Sequence, residues 1–290
     1  MLSWKNTLKR ALGLPKAQYH KSLQGMNMEI LVCVKSVPDT EESEIEVNAD
    51  GSDIKRDDLV YTINEWDNYA VEEAVELVDE HGGSVTVVTV GDDQCEEVLR
   101  REMAMGANHG LLLMDDAFEG SDGKGIANIL KAAVEKESYD LIMTGAQSDT
   151  GAGQVGGMLA ALLDYPYASL VNSIEVMDEK KLKVGREIEG GNQEMNEIDL
   201  PCVLSIQTGI NEPRYVTIRG IRKVSSVEIP TLGASDLGVS GDSVGTGAAR
   251  VKRIDYFLPE LGKGTEMLGG DTEEIVEKLI GILEAKGGLK

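Results

Sequence analysis

The sequence predicts an α/β fold: a doubly wound, mostly parallel sheet with an antiparallel extension and a long C-terminal arm. Three observations carry this. Short apolar runs alternate with segments of helical periodicity from residue 28 to residue 163, the pattern of strands buried on both faces and joined by crossover helices. After Pro166 the helices stop and short apolar segments follow one another through turns. Beyond residue 210 turn residues dominate until a final helical stretch.

Ile30-Leu-Val-Cys-Val34 is nearly continuous in apolar character and reads as a strand over 29–35,. An acidic loop follows, from Asp39 to Asp58. Asn64 is placed to cap a helix, after which Trp66, Tyr69, Ala70, Ala74, Val75 and Val78 recur at helical spacing until Gly82 and Gly83 end it,. A strand over 84–90, a helix over 93–105, a strand over 111–114 and a helix over 122–136 come next, then a strand over 141–144 and a helix over 154–163,. Residues 170–176, 182–187 and 202–207 are expected to form the antiparallel extension. Asp271 and Glu274 form a box-like cap for a last helix, whose apolar face carries Ile275, Leu279, Ile282 and Leu283,. The expected division is a non-core basic extension at 1–27, an α/β domain at 28–210, and an irregular arm with the final helix at 211–290, packing on a partner.

The chain has 290 residues, 41% hydrophobic and 27% charged, with a net charge of −23. The first 27 residues carry five basic side chains and no acid, so the remainder is more acidic still. That balance argues against nucleic acid, whose phosphates need Lys and Arg. No apolar run approaches the roughly 18 residues of a membrane span. The N-terminal segment, with Leu2, Trp4, Leu8 and Leu12 among basic residues, reads as a targeting peptide or as a start codon placed too early, since Met26 and Met28 precede the first strand,. Cys33, Cys95 and Cys202 are widely spaced and odd in number, which argues against a disulfide framework and for a reducing, cytoplasmic setting,. No zinc-ligand spacing or nucleophile signature is present.

The most informative segment is Gly145-Ala146-Gln147-Ser148-Asp149-Thr150-Gly151-Ala152-Gly153-Gln154-Val155-Gly156. It leaves a buried strand and enters a helix, where glycines admit close backbone approach and successive amides bind phosphate. A flexible glycine-rich turn is the other reading. Asn64-Glu65-Trp66-Asp67 and the segment from Val90 to Gln94 should lie at the same sheet edge, where ligands of doubly wound sheets bind. Three loops there can enclose an adenosine, with Trp66 either stacking on a ring or buried as core. Glu212 and Arg214 can bridge across Pro213, in a structural or a docking role.

From about Met28 to Gly287 the chain resembles the beta subunit of electron-transferring flavoproteins, whose nucleotide-binding domain is Rossmann-like. The matches are Leu31-Val-Cys-Val-Lys35, Asn64 leading into Ala70-Val-Glu-Glu-Ala74, Met103-Ala-Met-Gly-Ala107, Gly145-Ala-Gln147 with Gln154-Val-Gly156, Arg186-Glu-Ile-Glu-Gly-Gly191 and Asn211-Glu-Pro-Arg-Tyr215. The resemblance implies an electron carrier with no catalytic group of its own, paired with an alpha subunit that holds the redox-active FAD. It implies a structural AMP in this chain, held by Cys33, Asn64, Glu65, Trp66, Asp67, Val90 and the loop from Gly145 to Gly156. It also implies electron donation by acyl-CoA-type dehydrogenases, as in fatty acid oxidation, and delivery to an acceptor oxidoreductase that is membrane-bound in some systems. Ile210, followed by Asn211, Glu212 and Pro213, falls where an exposed apolar anchor for the dehydrogenase is expected, and Ser36 to Thr40 should face the partner's flavin. Another branch holds a second FAD here and bifurcates electrons from NADH. Asp149-Thr150 and Gln154-Val-Gly156 fit that branch, whereas Gly157 stands where it has proline. AMP is the favoured expectation and FAD the alternative.

Overall fold

The computed structural model describes residues 27–259, 262 and 264–289. The expectation for the basic extension at 1–27 falls, but for Asn27, outside the described residues. The chain divides into two units, one of residues 27–45 and 56–253 and the other of 46–55 with 254–289.

The first unit is built on a nine-stranded sheet. Its strands in chain order are β1 (Met28–Cys33), β4 (Gly83–Val90), β5 (His109–Leu113), β6 (Leu141–Gly145), β7 (Tyr167–Asp178), β8 (Lys181–Ile188), β9 (Asn192–Asp199), β10 (Cys202–Ile206) and β11 (Thr231–Leu232). A separate antiparallel pair, β2 (Ser36–Pro38) and β3 (Tyr61–Ile63), follows β1. The spatial order of the large sheet is β11-β5-β4-β1-β6-β10-β7-β8-β9. Every pairing from β11 to β7 is parallel, and the two that add β8 and β9 are antiparallel.

Alternation along the strands divides the core in two. Ile30 and Val32 of β1 pack with helices α1 (Glu65–His81) and α2 (Glu96–Met105), while Leu31 and Cys33 pack with α3 (Gly123–Val134) and α4 (Val155–Leu163). The chain first winds outward from β1 through β4 to β5, then crosses to β6 on the other side of β1. The strand order therefore reverses between β1 and β6, which opens a crevice at their carboxyl ends.

Two elements differ from the expectation. Cys202–Ile206 is not part of the antiparallel extension; it lies between β6 and β7, parallel to both. All five of its residues are buried, and burial on both faces is the property of a central parallel strand. The hairpin of β8 and β9 leaves the sheet edge and lets the chain return inside it. β9 has no apolar run to announce it: Asn-Gln-Glu-Met-Asn-Glu-Ile-Asp is mostly exposed, and its strand form follows from continuous backbone pairing with β8.

Residues 211–253 belong to the first unit. They form α5 (Ile218–Val224), the short β11, α6 (Ala234–Leu237) and α7 (Gly245–Ala248). In the second unit Tyr256 donates its amide to Gly51 at 2.9 Å, and helix α8 (Thr272–Ala285) is capped by Asp271, which accepts from the amide of Glu274. No residue of α8 is buried, and Val276, Leu279, Ile280, Ile282 and Leu283 stand exposed on it.

Candidate functional site

At the carboxyl ends of β1, β4 and β6 lies a cavity of about 900 Å³. Its floor is Cys33, Val88, Val90 and Thr144, and one side is the glycine-rich loop, through Gln147, Ser148, Thr150 and Ala152 to Gly156. The opposite side was not foreseen. It consists of Gly120 to Gly123 with Ile126 and Leu130 of α3, and of Thr246, Ala249 and Val251 to Arg253.

Asp67 joins the two halves of the crevice. It sits in the first turn of α1, is 5% exposed, and accepts from the amides of Lys35 after β1 and Gly145 at the end of β6, both at 2.8 Å. Burial pushes its carboxyl up to about 7, against the lowering effect of the Gly145 and Lys35 amides and the Asn64 side chain. Asn64 occupies the cap position of α1 but does not cap with its side chain; its Nδ2 donates to the carbonyl of Gln147 at 2.9 Å and so ties the helix start to the loop. Lys35 reaches over the loop to Ser148 and pairs with Asp149.

The two helices that start at the cavity differ in one respect. At α3, Asp122 already accepts from the amides of Lys124 and Gly125. At α4 the cap residue Gln154 makes no side-chain bond to the helix start. The first amides of α4 are thus left for a ligand, and the positive end of the helix favours an anion there. Gly156 fits because it has no side chain: a Cβ would lie 2.4 Å from Ser205 Oγ and 2.7 Å from Thr144 Oγ1. Those hydroxyls are bonded to each other at 2.8 Å, with Tyr167 OH at 2.9 Å from Ser205 Oγ.

Among the described residues Cys33 is the one cysteine that lines the cavity. Burial, with the charge of Asp67 second, pushes the Cys33 thiol up. Burial raises Cys95 to about 11 and Cys202 to about 12. Among the described residues no cluster of His, Cys, Asp or Glu has the makings of a metal site, and no helix is long and apolar enough to cross a membrane.

The predicted residues are only partly brought together. Cys33, Asp67, Val90, Gly145 and most of the loop line the cavity. Asn64, Asp149, Ala146 and Gly151 support or flank it. Glu65 is exposed, and Trp66 is outside the lining, its indole N–H donating to Gln207 Oε1 at 3.0 Å. The expectation of an exposed anchor at Ile210 is overturned: Ile210 is 8% exposed and packs in the first core cluster. Asn211 is turned inward to Tyr69 O and Glu73. Arg214 does not pair with Glu212 across Pro213; it grips the buried Glu72 at 2.9 Å and reaches Asp79. The exposed apolar residues of this region are Tyr215 (89%), Ile218 (71%) and Ile221 (46%), interleaved with Arg219, Arg222 and Lys223. Periodicity held no signal for them, because α5 is two turns long.

A family model described as electron transfer flavoprotein domain matches residues 53–237. The chain belongs to the electron transfer flavoprotein family. It is similar to the electron transfer flavoprotein subunit beta of Methylophilus methylotrophus, 37% identical over 90% of this chain and 100% of that protein. The beta subunit of Thermoanaerobacterium thermosaccharolyticum is 34% identical over 89% of this chain and 99% of its own. The caffeyl-CoA reductase-Etf complex subunit CarD of Acetobacterium woodii is 34% identical over 89% and 99%. Within this family the chain is a beta-type subunit.

Proposed function

We propose that this beta subunit is the non-catalytic half of a heterodimeric electron carrier and that its own task is to hold an adenine nucleotide. The observation that carries this is the uncapped start of α4 beside a glycine-walled cavity at the switch point of the sheet. The first amides of α4 and the ammonium of Lys35 suit a phosphate. Cys33, Val88, Val90 and Ile126 supply an apolar surround for a base. In this reading the nucleotide is a structural AMP, which braces the glycine-rich loop against α1 and takes no part in redox chemistry. The larger alpha subunit carries the FAD that accepts and gives electrons. Acyl-CoA-type dehydrogenases supply the electrons and an acceptor oxidoreductase removes them, with the carrier in the cytoplasm.

Docking of the donor belongs on α5 rather than at Ile210. An exposed isoleucine flanked by arginines and a tyrosine suits a transient interface, where one apolar anchor within a charged surround gives most of the affinity. Basic residues there also favour an acidic partner face in a chain that is strongly acidic elsewhere.

A second FAD in place of AMP is the other reading, as in a carrier that bifurcates electrons from NADH. The cavity volume favours it: about 900 Å³ is near the upper end of the roughly 300–1,000 Å³ of small-molecule sites. The second wall, with Lys252, adds positive charge for a further phosphate.

The experiment is to purify the chain with its alpha subunit, denature the complex and identify the released nucleotides. One AMP and one FAD per heterodimer support the first reading. Two FAD support the second, and one FAD with no other nucleotide refutes both.

A further inference from the structure

The far wall of the cavity joins two segments far apart in sequence. Residues 243–251, which include α7, run along the start of α3 and the turn before it. Ser243 O accepts from Asn128 Nδ2 at 2.8 Å, the Gly245 amide donates to Ser121 Oγ at 2.7 Å, and the Thr246 amide donates to Glu119 O at 3.0 Å. At the end of this strap stands Asp122, whose carboxylate is shared. Oδ1 accepts from the amides of Lys124 and Gly125, at 3.1 and 3.0 Å, and caps α3. Oδ2 accepts from the amides of Arg250 and Val251, at 2.8 and 3.2 Å.

That second pair fixes the backbone from which Val251, Lys252 and Arg253 line the cavity. A cap alone needs one acceptor oxygen; the other oxygen spends its charge on a segment more than a hundred residues away. Only an ionised carboxyl presents two acceptor oxygens and no donor.

We propose that Asp122 is a positioning residue for the nucleotide site: by stapling residues 250–251 to the head of α3 it keeps the far wall closed and sets how slowly bound nucleotide leaves. The inference rests on the nucleotide reading above.

Asp122→Asn separates the two duties. The amide oxygen still caps α3, since Asn caps about as well as Asp, but its NH₂ group then faces two backbone donors. The heterodimer carrying D122N should release its adenine nucleotide roughly 10- to 100-fold faster in a chase with unlabelled nucleotide, the loss expected for charge-assisted bonds. The amides of residues 249–253 should also exchange hydrogen faster. Ser121→Ala, which frees only Gly245, should move both readouts the same way by less. Unchanged nucleotide release in D122N overturns the role in retention, and unchanged exchange at 249–253 overturns the staple itself. A wild-type complex that holds no nucleotide in this chain defeats the nucleotide reading instead, and the exchange measurement still judges the staple.

Discussion

Glu102 predicts a stability that falls as pH rises. It lies on α2, is 0% exposed, and neither carboxylate oxygen has a hydrogen-bond partner among the described residues. Burial pushes its carboxyl up to about 8 from an ordinary 4.5; the nearby Arg101 lowers it, and Asp67 and Glu72 raise it. A folded value above the unfolded one means that the native state holds the proton more tightly. Stability is therefore full below about pH 4.5 and is lost as pH rises toward 8. Each unit in that window removes about 1.4 kcal/mol, so roughly 3 kcal/mol is gone by pH 7. Glu102→Gln removes the titration and keeps the shape. Urea unfolding of the two proteins at pH 5, 7 and 8.5 should show little difference at the lowest pH and a growing advantage for E102Q at the others. Asp67 titrates with the same sign and is present in both proteins. Parallel stability curves across this range would refute the reasoning.

Three further outcomes follow from the geometry. Ile218→Asp should leave stability within about 0.5 kcal/mol yet slow electron acceptance from a dehydrogenase about tenfold or more, measured by stopped-flow reduction of the heterodimer. Ile210→Asp should do the reverse of a docking variant, lowering stability by more than about 3 kcal/mol through a buried charge, as read by thermal unfolding. Gly156→Ala should cost about 1–3 kcal/mol through overpacking on Ser205 and Thr144 and should weaken nucleotide binding in equilibrium dialysis.

The sequence made the alternation of strands and helices legible because each central strand is a run of apolar residues and each crossover helix has a periodic face. It made the glycine-rich loop legible for the same local reason. What it concealed depended on distant partners. β9 is mostly polar and exists through β8; β11 is two residues long and exists through β5. The strand at 202–206 was visible, but its place between β6 and β7 was not, because adjacency in sequence suggested the hairpin instead. Of the residues that line the cavity, Asp67 and the loop stood in segments the sequence singled out. Asp122 and residues 246–253 did not, since their meeting spans more than a hundred residues. Ile210 is buried where exposure was expected, because an apolar residue after a strand reads equally as core or surface.

The central claim is that the phosphate of a bound nucleotide rests on the start of α4. A crystal structure of the heterodimer, purified without added nucleotide, tests it most directly. The account predicts density for an adenine nucleotide in the cavity, with a phosphate within hydrogen-bond distance of the amides of Val155 to Gly157. A nucleotide whose phosphates lie elsewhere, or a cavity holding only water, would contradict it.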